Sequence, residues 1–295
     1  HTRFRNVTGV QTCALPICEM LDQVLEFFGI VPHHDLDLMR PGQSLFTITA
    51  ECIKGLEAVL DAERPSMVFV QGDTTTAFAA ALASYYKKIP VAHVEAGLRS
   101  GNKYAPFPEE VNRILTGHIA DLHFAPTEVA AQNLRKENIT SSLHVVGNTV
   151  IDALQWGIGI LQGSHGDTVR KKLAHLPVEQ RFVLITGHRR ENFGKPFEAI
   201  CEAIAQVASK WKEVGFIYPV HLNPNVQEPV HRMLGGLANV HLIDPLGYPE
   251  FIWLLEKSYL VLTDSGGLQE EAPSDRKSTR LNSSHVSESR MPSSA

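Results

Sequence analysis

Three carboxylates stand out by position: Asp73 in QGDTTT, Glu95 in HVEAGLRS and Glu109 in YAPFPEEVNR. Asp73 and Glu95 come at or just after the ends of apolar, strand-like runs, and Glu109 opens a helical one. In an open α/β sheet, ligands bind at the carboxyl ends of strands, and acids placed there suit proton transfer. Each has a plain structural alternative. Asp73 could be only a helix N-cap, Glu95 a surface partner for Arg99, and one of Glu109 and Glu110 a first-turn acid. Two later segments, TGHRREN (Thr186–Asn192) and TDSGGLQEE (Thr263–Glu271), also follow apolar runs. His188 can titrate near neutrality or hydrogen-bond a phosphate, and Arg189 and Arg190 are planar donors suited to phosphate. Ser265, Gly266 and Gly267 leave backbone amides free at a helix start, a site for a diphosphate. Glu271, one turn on, is placed for ribose hydroxyls.

The elements that position these groups alternate. Strands are predicted at Met67–Gln71, Val91–Glu95, Leu122–Pro126, Leu143–Val146, Phe182–Thr186, Phe216–Val220, Val240–Ile243 and Leu260–Thr263. Helical patterns over 44–63, 74–86, 109–118, 127–137, 150–161, 196–210, 226–234 and 249–256 separate them. Alternation argues for parallel sheets covered by helices, and continuously apolar strands argue for burial on both faces. The predicted fold is α/β: two Rossmann-like domains with parallel sheets facing across a cleft (GT-B type), truncated at both ends. The polar stretch at Gly163, Ser164, Gly166 and Asp167 is the expected boundary, giving domains 19–163 and 164–274.

Val7–Ile17 and Asp275–His285 read as translations of a common sequencing adapter, one from each strand. Residues 1–18 and 275–295 are therefore set aside from fold reasoning, and the Ser-rich tail is expected to be disordered. The formal charge of the whole chain is −5. Of its 27 basic and 32 acidic residues, six basic and two acidic lie in those end segments, leaving −9 for residues 19–274. Such an acidic chain is a poor partner for nucleic acid or an anionic membrane. No apolar run reaches the roughly 18 residues that span a bilayer. Cys52 and Cys201 sit in amphipathic helical runs as expected buried thiols, which suits the cytoplasm. The histidines, including His118, His123 and His221, lack metal-ligand spacing. No GxGxxG supports a nicotinamide.

Taken in order, these motifs resemble the non-hydrolysing UDP-N-acetylglucosamine 2-epimerases. LDLMRPGQSL (Leu36–Leu45), GNTVIDAL (Gly147–Leu154), PVHLNPNV (Pro219–Val226) and TDSGGLQEEAPS carry the resemblance further. It implies interconversion of UDP-GlcNAc and UDP-ManNAc with no cofactor, by loss of the C2 proton and UDP to give 2-acetamidoglucal, then re-addition. It implies catalytic roles for Asp73, Glu95, Glu109 and His188. It implies UDP contacts from Leu246, Phe251, Ser265, Gly266, Gly267 and Glu271, with the 246–251 segment at the uracil. Gln43, Arg189 and His221 match positions that hold a second, activating UDP-GlcNAc. A cytoplasmic homodimer is implied as well. The family's opening strand with its Gly-Thr-Arg-Pro-Glu loop, and its last strands and helices, have no counterpart here. The chain as it stands is therefore expected to be inactive, its strand edges open to association. Three alternatives remain: a hydrolysing relative that releases ManNAc and UDP, a GT-B glycosyltransferase, and a nucleotide-sugar-binding protein without chemistry.

Overall fold

A computed structural model describes residues 10–11, 17–38, 40, 42–187, 192–265, 268 and 278–281. The chain divides into two compact units, His1–Thr149 and Val150–Ala295. The first contains β1 (Val10–Gln11), α1 (Ile17–Phe27), β2 (His34–Asp35), α2 (Leu45–Glu63), β3 (Val68–Gln71), α3 (Thr75–Tyr86) and β4 (Val91–Val94). It continues through α4 (Glu109–Ile119), β5 (Leu122–Ala125), α5 (Glu128–Lys136) and β6 (Leu143–Val145). After α6 (Thr149–Leu161) the second unit runs α7 (Ser164–Lys172), β7 (Phe182–Thr186), α8 (Lys195–Lys210), β8 (Gly215–Pro219) and α9 (Pro224–Leu234). It ends with β9 (Val240–Ile243), α10 (Tyr248–Lys257), β10 (Leu260–Thr263) and β11 (Ser278–Leu281).

Both main sheets are parallel. The first has strand order β3-β4-β5-β6 and the second β11-β10-β7-β8-β9. The helices start where the sequence supplies caps: Ser44 Oγ accepts from Thr47 N, Thr74 Oγ1 from Ala77 N, and Thr127 Oγ1 from Ala130 N. In unit 2 the core gathers Phe197, Cys201 and Ile204 of α8 against Val183, Phe216 and Tyr218 of the sheet. In unit 1, α2 and α3 share Cys52, Leu56, Leu60, Ala79 and Ala83. Cys52 and Cys201 are buried free thiols, and burial pushes each up to about 11, so neither is a poised nucleophile.

Four expectations change. The polar stretch from Gly163 onward is helix α7 instead of a linker, and the division into units falls at Thr149–Val150. Asp167 in its first turn and Arg170, Lys171 and Lys172 in its last complement the helix dipole, which apolar periodicity does not report. Two-sided strand burial holds for β7 and β8 but not for β3, where Val70 is buried while Phe69 and Gln71 are exposed. β3 is an end strand, and the Phe69 ring stacks only sideways, on Phe124. Finally, part of the tail expected to be disordered, Ser278–Leu281, pairs in parallel with β10, and Val10–Gln11 pairs with β2.

Candidate active site

Unit 1 brings its three acids together at the carboxyl ends of β3 and β4. Gly72, at φ +71°, turns the chain out of β3, and Asp73 follows it. Asp73 is not the helix cap, because Thr74 takes that position. Its carboxylate instead meets Arg113 of α4, with Nη2 3.0 Å from Oδ2. Burial holds the Asp73 carboxyl above the ordinary carboxylate range; Arg113 opposes this, while Glu109 and Glu110 push it further up. Glu95 sits just past β4 in the left-handed region, at φ +66°. A Cβ on Gly72 would lie 3.5 Å from Glu95 Oε2, so the two strand ends are adjacent. A non-glycine residue held in this conformation is a feature of functional sites. Arg99 does not pair with Glu95; it forms a bidentate pair with Glu137, at 2.7 Å for both bonds.

Glu109 opens α4, after the cis peptides Ala105–Pro106 and Phe107–Pro108. Its Oε2 and the Nε of Arg113 are buried with no hydrogen-bond partner among the described residues. Buried polar atoms are ordinarily satisfied, so both are open to a ligand or water.

Gly97 corrects one expectation. It was read as small so that a ligand could approach Glu95, but its φ is +91° and a Cβ there would lie 2.2 Å from Ala130 O. The glycine lets the α5 N-terminus pack against the chain beyond β4, and Asn133 Nδ2 donates to its carbonyl at 3.1 Å.

Sequence reasoning passed over four residues of this cluster: His93, Glu110, Asn112 and Arg113. Asn112 Nδ2 donates to the Asp73 carbonyl at 3.0 Å. His93 is fully buried and its Nε2–H donates to Gly72 O at 2.9 Å, which supports the turn before Asp73. Its signal was the histidine inside an otherwise apolar strand. Burial lowers the His93 imidazole to about 4. The unfolded chain takes up this proton near pH 6.5, whereas the folded chain does not until about pH 4. The stability is therefore whole above about 6.5 and falls as the pH drops toward 4, by on the order of 3 kcal/mol. Melting of the wild type and His93→Gln at pH 7 and pH 5 checks this. The wild type is expected to lose more stability on acidification than the variant.

In unit 2 the two motifs are joined at the ends of neighbouring strands β7 and β10. Thr186 Oγ1 donates to Thr263 Oγ1 at 2.7 Å, and Ser265 N donates to the same Thr263 oxygen at 2.9 Å. Asn192 Nδ2 donates to Asp264 Oδ2 at 3.0 Å, and Tyr218 OH donates to Gly187 O at 2.9 Å. A cavity of about 480 Å³ opens beside Thr186, Gly187, Thr263 and Asp264, with Ile200 and Ala203 of α8 along it. Leu246 precedes α10 and Phe251 lies in its first turn, both half-buried at the carboxyl end of β9. His188, Arg189, Gly266, Gly267 and Glu271 lie outside the described residues. Gln43 holds its own loop, accepting from Arg40 N at 2.7 Å and donating to Leu38 O at 2.8 Å and Glu51 at 3.0 Å. His221 is exposed in unit 2, its Nδ1 accepting from Asn223 N at 3.0 Å. Among the described residues there is no cluster of metal ligands and no helix long and apolar enough to cross a membrane.

Two parallel-sheet Rossmann-like units, with acids at the strand ends of one and a Ser-Gly-Gly turn after a strand of the other, define the GT-B class of nucleotide-sugar proteins. The sequence profile of the UDP-N-acetylglucosamine 2-epimerases matches residues 10–279. The chain belongs to that family. It is 52% identical over 261 residues to the UDP-N-acetylglucosamine 2-epimerase of Escherichia coli strain K12, covering 87% of this chain and 69% of that one. The Neisseria meningitidis UDP-GlcNAc 2-epimerase, solved bound to UDP-GlcNAc, superposes with a TM-score of 0.80 at 46% identity, over 89% of this chain and 71% of that one. The Methanocaldococcus jannaschii enzyme, solved with UDP-GlcNAc and UDP, superposes at 0.69 with 33% identity, over 88% and 71%.

Proposed function

We propose that this chain serves the non-hydrolysing interconversion of UDP-GlcNAc and UDP-ManNAc, by elimination of UDP and its re-addition. The observation that carries the reading is the convergence of Asp73, Glu95 and Glu109 at adjacent strand ends, in a member of an epimerase family. A base takes the C2 proton, the bond from C1 to the diphosphate oxygen breaks, and UDP leaves. Return of UDP to C1, with a proton delivered to the opposite face of C2, completes the inversion. The C2 proton is weakly acidic, so more than one carboxyl group is useful: one to remove it, another to return it, with electrostatic help for the leaving group.

Asp73, Glu95 and Glu109 are assigned the proton transfers and His188 a contact to UDP. Ser265, Gly266 and Gly267 are assigned the diphosphate, Glu271 the ribose, and Leu246 with Phe251 the uracil. Gln43, Arg189 and His221 are assigned a regulatory UDP-GlcNAc, and the enzyme is assigned a homodimeric state. Neither nucleic acid nor a membrane enters the reaction. The test is product analysis, on a chain completed at both ends with the corresponding residues of a family member. UDP-ManNAc is expected to accumulate to a fixed ratio with UDP-GlcNAc. ManNAc released in step with free UDP would move the assignment to the hydrolysing relatives. UDP-GlcNAc bound and left unchanged would leave a transferase or a binding protein.

A further inference from the structure

Glu110 is a buried acid beside Asp73 to which the reaction above gives no part. Only 1% of it is exposed. Its two oxygens each accept from Ser100 N at 3.0 Å, and Oε1 also accepts from Gly101 N at 3.0 Å. Its Oε2 stands 3.5 Å from Arg113 Nε, one turn along α4. The far end of the same guanidinium donates to Asp73. A carboxylate so enclosed and occupied by amides is badly placed to receive a substrate proton, yet its charge is fixed against Arg113 in a shielded setting. Buried charges persist where they are paired, and Arg113, whose side chain is 12% exposed, is the one cation on this pair of acids.

We propose that Glu110 is a positioning residue for Asp73. Its carboxylate pins the Ser100–Gly101 turn and holds the Arg113 guanidinium where it meets the reacting carboxylate. The proposal rests on the epimerase reading, in which Asp73 transfers a proton. It separates the neighbours Glu109 and Glu110 into two tasks: Glu109 turns a partnerless oxygen toward the site, and Glu110 turns both oxygens into the protein. The charged and titratable groups around Asp73 are Arg113, Glu109 and Glu110 from α4, Glu95 from the end of β4, and His93, bonded to the adjacent Gly72.

The expected effects have definite signs. Glu110→Gln keeps an oxygen for the amides and removes the negative charge, so Asp73 ionises more readily. Arg113→Gln removes the cation, so Asp73 ionises less readily. The experiment is a carbon-13 NMR titration of the Asp73 carboxyl in the 295-residue chain, with the resonance assigned by its loss in Asp73→Asn. The midpoint should move down in Glu110→Gln and up in Arg113→Gln. In the completed chain, Glu110→Gln should lower kcat on the order of 10–100-fold with little change in KM. The limb of its pH profile set by Asp73 should move to lower pH. A Glu110 that only braces the fold would lower the melting point and leave both readouts in place, and an unmoved Asp73 midpoint in folded Glu110→Gln overturns the proposal. If Glu110→Gln does not fold, Arg113→Gln decides, upward movement supporting the coupling and no movement overturning it. The titration needs no turnover, so a completed chain that does not epimerise counts against the epimerase reading and not against the coupling.

Discussion

Replacing Asp73 with Asn is expected to lower kcat for epimerisation by about 10²–10⁴-fold, the range that positioned acid–base catalysis supplies, with KM changed far less. The substitution conserves shape and leaves the Thr74 cap untouched, so the helix that follows should form normally. The Asp73 carbonyl still accepts from Asn112, and Arg113 still has Glu110 within 3.5 Å, so the local frame is retained. What is lost is the charge, and with it the ability to take or return a proton. Steady-state kinetics on the completed chain, with circular dichroism to show that the fold is kept, checks this. A folded variant running at the wild-type rate would remove Asp73 from the chemistry and reduce its contact with Arg113 to a structural ion pair.

Gly97→Ala is expected to destabilise unit 1 by about 3–5 kcal/mol, combining left-handed strain with overpacking. At φ +91° any side chain is strained, and this one would also collide with a backbone carbonyl, Ala130 O, at 2.2 Å. A backbone atom cannot swing aside as a flexible side chain would. The α5 N-terminus must withdraw, opening the small core of Ala125, Ala130 and Ala131 and stretching the Asn133 bond to Gly97. Gly101→Ala is the matched control: its φ is +75°, but nothing lies within 4 Å of a Cβ there. It should cost only about 1–2 kcal/mol of backbone strain. Thermal melting that shows equal losses for the two variants would contradict this account of Gly97.

How far each feature could be read depended on the kind of signal it left in the sequence. Strands β7, β9 and β10 have the predicted bounds, because a short apolar run closed by Gly, Pro or Asp has few other readings. Helix α7 was missed because Ser164–Lys172 is held by charge at its two ends while few of its own residues reach the core. Within the site, the end-of-strand carboxylates were visible, and the cluster that holds them was not. In PEEVNR the spacing puts Glu109, Glu110 and Arg113 on neighbouring faces of one turn. Adjacent positions differ by about 100° around a helix, so which acid turns inward depends on where the sheet lies. Gly97 shows the reverse error, since small size alone does not say whether a ligand or a carbonyl needs the room.

The most direct test of the central claim is to run the completed chain on UDP-GlcNAc in deuterated water and follow the sugar by proton NMR. The account predicts loss of the C2 proton signal through deuterium incorporation, with UDP-ManNAc appearing and no sustained free UDP. UDP-ManNAc formed with its C2 proton retained would contradict it, because the carboxylates at Asp73, Glu95 and Glu109 would then have no proton to move.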